Sequence, residues 1–184
     1  NENYIHPKRP SGATDEAIMN GAYKMIPVKK KDCRILASGA TLRFAIEANK
    51  ILKEMGINAE VWSITSFNQL ARDGMSSDRS KTYGLDGKSY VEDCFAEEIP
   101  TVAVSEYMRN YSEQIRKWVK GQYTCLGTDG YGRSDTRERL RSFFEIDKNY
   151  IVYTCLISLN EKEKAKHYAE KNSIKCNHDN PWEI

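Results

Sequence analysis

The chain has 184 residues, 40% of them hydrophobic and 29% charged, which suits one globular domain with a core of its own. Its 28 Lys and Arg against 26 Asp and Glu leave a net charge of +2, too little to argue for a nucleic-acid or membrane surface as partner. No apolar run is long enough to cross a bilayer, and five cysteines without a CxxC pair suit a reducing compartment rather than a disulfide framework.

Residues 1–12, with two prolines and no periodicity, read as an extended lead-in, and the Asn at position one suggests a chain cut from something longer. Ala13 to Met25 reads as a short helix capped by Thr14, with Ala17, Ile18 and Tyr23 on its apolar side. The basic run Lys29-Lys30-Lys31 has no interleaved aromatics and reads as a solvated loop. Cys33 to Ala37 is a buried strand ended by Ser38-Gly39. Leu42 to Met55 then places Ala45, Ala48, Leu52 and Met55 on one helical face, and Gly56 stops it. Ala59 to Ile64 follows as a second strand, and strand–helix–strand with a glycine exit marks a parallel crossover.

Ser66 caps a short helix, FNQLAR, after which Asp73 to Lys88 is polar and glycine-bearing and reads as a long surface loop. Tyr90 to Glu97 is helical, and Thr101 to Ser105 is a third strand. Tyr111, Ile115 and Trp118 fall at i, i+4, i+7 of an amphipathic helix. Tyr123 to Leu126 is a fourth strand. Asp147 caps the run YIVYTCLISL, which periodicity alone leaves open between helix and strand. Glu161 to Lys171 is helical, and the tail is extended, with Trp182 free to pack on a neighbour. Strands alternating with helices imply an α/β domain, a three-layer α/β/α sandwich with a mainly parallel sheet. Ligands of such folds bind beyond the carboxyl ends of the strands. Three loops are expected to cluster there: Ser38-Gly39, the stretch after Ile64, and Gly127 to Ser134.

The last of these loops carries the densest local signal. Gly127, Gly130 and Gly132 sit in six residues between a strand and a charged helical pattern, a sharp turn that needs glycine's backbone freedom. Asp135 and Glu138 have capping-box spacing, and the dipole of the helix they would start favours an anion in the loop. The glycine spacing does not fit a dinucleotide fingerprint, there is no GxxxxGK[ST], and no GDG opens a thiamine diphosphate site. The interface or anion-loop candidates are Asp129, Arg133, Ser134, Asp135 and Arg137, where arginines bind carboxylates in a bidentate fork. The same residues also suit a plain connection in which Asp135 caps and the arginines are solvated or pair with Glu138 and Asp129. Cys176 and His178 offer two soft ligands where zinc takes three or four. His6 lies beside Pro7 with no partner set near it, and His167 lies on a charged helix. Tyr107 and Met108 follow a strand end and suit packing.

Four long stretches together resemble one family. NENY followed by HP, VWSITSFNQLARDG from Val61, SEYMRNYSEQIR from Ser105 and LGTDGYGRSDTRERLRSFFEID from Leu126 are similar to the C-terminal part of the homodimeric pyruvate dehydrogenase E1 component, in the same order and through nearly the whole chain. The resemblance implies a transketolase C-terminal-like domain over 13–184, with 1–12 as the tail of the preceding domain. It implies that the run after Asp147 is helical and that a late strand is antiparallel. It further implies a cytoplasmic enzyme that decarboxylates pyruvate with thiamine diphosphate and magnesium and acetylates the lipoyl group of an E2 partner. The partners implied are a second E1 subunit and E2, with no nucleic acid and no membrane. The family's cofactor-binding and catalytic residues lie in two upstream domains, so none is carried onto positions here, and this domain alone is expected to bind no cofactor and to be inactive. The chain departs from the family's pattern at Arg79-Ser80 and in the short passage YGLDGKSY. A stand-alone binding or regulatory module, or the E1 of another 2-oxo acid dehydrogenase, would also suit the residues.

Overall fold

The computed structural model describes residues 5–175 and 179–183. Five strands form one sheet in the order β1-β3-β2-β4-β5, with β1 Ala22–Ile26, β2 Cys33–Ser38, β3 Ala59–Ile64, β4 Thr101–Val104 and β5 Tyr123–Leu126. The four expected strands pair in parallel, and β1 runs antiparallel along the outer edge of β3. β1 corrects the sequence reading, which placed these residues in a helix. That helix, α1 Asp15–Asn20, is capped by Thr14 as expected and stops at Gly21, whose φ is +107°. A Cβ there would come within 2.7 Å of the Ser66 carbonyl oxygen, and the Gly21 carbonyl accepts from Thr65 and Ser66 N–H. The chain is thereby pinned at the end of β3 and must return beside it. The antiparallel strand is thus the first, and no late one occurs among the described residues.

Helices cover both faces, because the right-handed crossover from β2 to β3 and those from β3 to β4 and from β4 to β5 run in opposite directions along the sheet, which puts their helices on opposite sides. On one face lie α2 Leu42–Glu54, α7 Lys148–Ser158 and α8 Lys162–Lys171, packed on Ile35, Val61, Val102 and Val104. In α2 the expected stripe is buried at Ala45, Ala48 and Leu52, with Leu42 joining it, while Met55 is only partly covered. The ambiguous run after Asp147 is the helix α7. Asp147 Oδ1 accepts from Asn149 and Tyr150 N–H at 2.8 and 3.1 Å. Burial pushes the Asp147 carboxyl above its ordinary range, against these two bonds. The sulfurs expected inside are there: Cys33, Cys125 and Cys155 are buried and free, and burial lifts the Cys125 thiol to about 12.

The other face holds α3 Phe67–Thr82, α4 Tyr90–Cys94 and α5 Asn110–Glu113. Here the expected loop from Asp73 is overturned, since α3 starts at the Ser66 cap and continues to Thr82. Two of its small residues face inward: Gly74 lies against the Trp118 ring and Ser77 is buried. Asp73 Oδ2 accepts from Val91 N–H at 3.1 Å, and Glu92 ties the two helices together. It closes a capping box with Ser89 and accepts from Ser77 Oγ and Lys81 Nζ. Lys81 foremost, then Ser89, holds the Glu92 carboxyl down at about 2. The helix expected through Tyr111, Ile115 and Trp118 is split into α5 and a 3₁₀ turn at Arg116–Trp118. Its backbone is pinned to β5, where the Tyr123 hydroxyl donates to Ser112 O and Arg116 Nη1 donates to Tyr123 O, at 2.8 and 2.7 Å. Ile115 and Trp118 are buried nonetheless.

One charged pair is buried in this second layer. Arg34 and Glu60 are register partners on β2 and β3, each about 1% exposed. Arg34 Nη1 donates to Thr101 Oγ1 on β4 at 3.1 Å, and its guanidinium lies 5.2 Å from the Phe95 ring centroid. Glu60 accepts from Trp62 Nε1 at 2.7 Å, while Lys24 and Lys31 approach its other oxygen at 3.2 and 3.5 Å. Burial lowers the Arg34 pKa, and Glu60 opposes that shift.

Candidate functional site at the carboxyl edge of the sheet

The parallel strands all end on one edge, and the order of the sheet decides which loops meet there. β2 and β4 are neighbours whose connections leave in opposite directions, so their carboxyl ends form the topological switch point of the fold. Thr41 Oγ1 spans that point, donating to Ser38 O and Val104 O at 2.8 and 3.1 Å. The stretch after Ile64, expected to join the cluster, is bonded to α1 through Thr65 Oγ1 and Ile18 O. Two strands separate it from the glycine loop. The loop that does meet the glycine loop follows β4: Thr128 N–H donates to Tyr107 O and Thr128 Oγ1 to Glu106 O, at 3.0 and 2.9 Å. Gly127 is needed at this contact, because a Cβ would sit 2.6 Å from Tyr107 O.

Between these loops and α6 Arg137–Phe143 lies an open groove of about 630 Å³. Its walls include Glu106, Tyr131, Arg133, Arg137, Arg141 and Phe144. Arg141 is the best-held group: buried on α6, it donates through Nε and Nη2 to Glu106 Oε1 at 3.0 and 2.6 Å and lies over Phe44 of α2. Glu106 and Arg141 were missed in the sequence. The available signals were a carboxylate right after a strand end and an arginine on the stripe Arg137–Arg141–Phe144.

The sequence candidates divide into three groups. Arg133 and Arg137 both line the groove, with Arg133 4.6 Å from the Phe143 ring centroid. Ser134 and Asp135 border an adjoining depression with Arg139 and Phe143, and Arg133 lines that one as well. Asp129 turns away from both, accepting from Arg109 N–H at 3.0 Å and pairing with its guanidinium. The expected capping box at Asp135 is corrected: the cap is Thr136, whose Oγ1 accepts from Arg139 N–H at 3.4 Å, and Asp135 Oδ1 instead accepts from Thr136 N–H at 2.6 Å. Thr136 has the extended backbone of a cap, so the helix begins one residue later.

The remaining candidates lie elsewhere. Trp182, expected free to pack on a neighbour, stacks under Arg109 at 4.5 Å while staying 42% exposed. Tyr107 stacks on Tyr111, and it and Met108 are exposed without lining the groove. His6 Nδ1 lies 3.1 Å from Pro7 O at the surface. His167 borders a second groove, between α2, α7 and α8. Cys176 and His178 lie outside the described residues. The groove lining offers guanidinium groups, which bind carboxylates in a bidentate fork, beside the rings of Tyr131 and Phe144.

A three-layer α/β/α sandwich with one antiparallel edge strand and a groove at the carboxyl edge of the sheet defines the class. The chain belongs to the transketolase-like C-terminal domain family, whose pattern it matches over residues 21–147. It is 43% identical over 88% of its length to the pyruvate dehydrogenase E1 component of Pseudomonas aeruginosa and 41% identical over 85% to that of Escherichia coli K12. The chain spans about a fifth of the length of these relatives, 19% and 18% respectively. Among solved structures, the fold is shared with transketolases from Pichia stipitis (TM-score 0.59, 19% identity, covering 85% of this chain and 20% of that one). Leishmania mexicana transketolase gives TM-score 0.59 at 21% identity over 82% of this chain and 20% of that one. A split-gene transketolase described as an inactive β4 tetramer gives TM-score 0.54 at 16% identity, covering 77% of this chain and 43% of that one.

Proposed function

We propose that residues 13–184 act as the transketolase-like C-terminal domain of a cytoplasmic pyruvate dehydrogenase E1 component, with residues 1–12 as the tail of the domain before it. The observation that carries this is the 43% identity, sustained over 88% of the chain, to an E1 component. The whole enzyme would decarboxylate pyruvate with thiamine diphosphate and magnesium and pass the acetyl group reductively to a lipoyl group on an E2 partner. Among the described residues no group of three or more His, Cys, Asp or Glu is placed to hold the magnesium ion that would accompany the coenzyme. We therefore assign the coenzyme to the rest of the enzyme and give this domain a supporting role, with no catalytic residue of its own.

Within that role, the carboxyl-edge groove is the surface we assign to the second E1 subunit. Arg133 and Arg137 offer guanidinium groups at the surface, Asp129 and Asp135 hold the loop that carries them, and Ser134 lies exposed between. The split-gene transketolase chain, 43% of which this fold covers, is described as an inactive tetramer, a precedent for a chain carrying the fold that assembles without catalysing. Replacing Arg133 by Ala should weaken dimer association roughly tenfold, as loss of one well-made interfacial charge pair does. Sedimentation equilibrium of the assembled protein reads this directly, and an unchanged dissociation constant removes Arg133 from the interface.

A further inference from the structure

The glycine loop is held from two sides, and only one of them is the sheet. On the inner side Thr128 bonds the loop after β4. On the outer side lies the turn Asn180–Glu183, closed on itself by Glu183 N–H to Asn180 O at 2.8 Å and Asn180 Nδ2 to Glu183 Oε2 at 3.0 Å. Gly130 fits against that turn only because it lacks a side chain. A Cβ there would stand 2.9 Å from both Pro181 O and Trp182 Cα, and its φ of +105° is in any case one that glycine adopts freely. Arg109 joins the two sides. Its N–H and guanidinium hold Asp129, and the same guanidinium lies 4.5 Å from the Trp182 ring centroid.

We infer that the Asn180–Glu183 turn is a strap that fixes the conformation of the glycine loop, with Trp182 on Arg109 as its latch, so that releasing the strap loosens the loop forming one wall of the carboxyl-edge groove. The groove's shape is then set by a segment more than forty residues downstream of the loop. Nothing in this depends on what the groove binds. A cation on a partly exposed aromatic face is a modest contact, so loss of the latch should raise local opening roughly three- to fivefold.

Hydrogen exchange at the Arg109 and Thr128 amides tests this, because both are bonded across the loops that the strap holds. Trp182→Ala should speed exchange at these two amides by that factor and leave the Ile35–Ala37 amides of β2 unchanged. Trp182→Phe, which keeps a ring under the guanidinium, should retain most of the protection. Gly130→Ala, which pushes the strap away from the opposite side, should reproduce the Trp182→Ala effect. Rates within twofold of the parent in both Trp182→Ala and Gly130→Ala would overturn the inference. So would acceleration spread equally to the β2 amides, since the turn would then support the whole fold rather than the loop.

Discussion

Replacing Glu60 by Gln is expected to destabilise the chain by about 3–5 kcal/mol, the cost of removing one member of a buried ion pair. The substitution keeps the volume and leaves an acceptor for Trp62 Nε1, so packing and that bond are not what is lost. What is lost is the one buried charge facing Arg34, Lys24 and Lys31. Arg34 is about 1% exposed and cannot recover its hydration without opening the sheet. For a chain of this size, 3–5 kcal/mol lowers the thermal midpoint by roughly 6–20 °C. Urea unfolding followed by far-ultraviolet circular dichroism measures the free energy directly. The double variant Arg34→Met with Glu60→Leu should recover much of the loss, because apolar groups of similar volume need no compensating charge. A loss under about 1 kcal/mol in the single variant would mean that water reaches the pair.

Gly74→Ala is the second large effect, and its sign carries the information. In a solvent-facing helix the change stabilises by about 1 kcal/mol, because alanine is the better helix former. Here a Cβ would come within 2.5 Å of the Trp118 ring, so either α3 or the indole must shift. Overpacking of that kind costs about 1–3 kcal/mol and outweighs the propensity gain. The expected outcome is a lower urea midpoint together with altered tryptophan emission, and Trp118→Leu in the same chain should relieve it. A raised midpoint would show that the 74–82 segment does not pack on Trp118 and would restore the surface loop that its composition suggests.

Gly74 also shows why part of the fold was hidden in the sequence. A glycine, three serines and alternating charges read as loop, yet they are helix because small residues on the inner face allow close approach to Trp118 and α4. The α2 stripe and its Gly56 stop were legible because burial on one face at helical spacing is a local signal. β1 was not, since Ala22 to Ile26 becomes a strand only by pairing with β3, some forty residues away. The run after Asp147 is apolar on every side, and that removes the periodicity that would tell helix from strand; the family resemblance settled it correctly. At the site, the glycine loop and Arg133 and Arg137 were visible as a local cluster. The Glu106–Arg141 pair joins residues 35 apart, and no local pattern could bring it together.

The supporting role of this domain is tested most directly by carbon dioxide release from pyruvate in the presence of thiamine diphosphate and magnesium. The 184-residue chain alone should release none above the protein-free blank. The Escherichia coli E1 component with its matching segment replaced by this chain should release carbon dioxide again. Release by the isolated chain, or a soluble chimera that stays silent, would contradict the account.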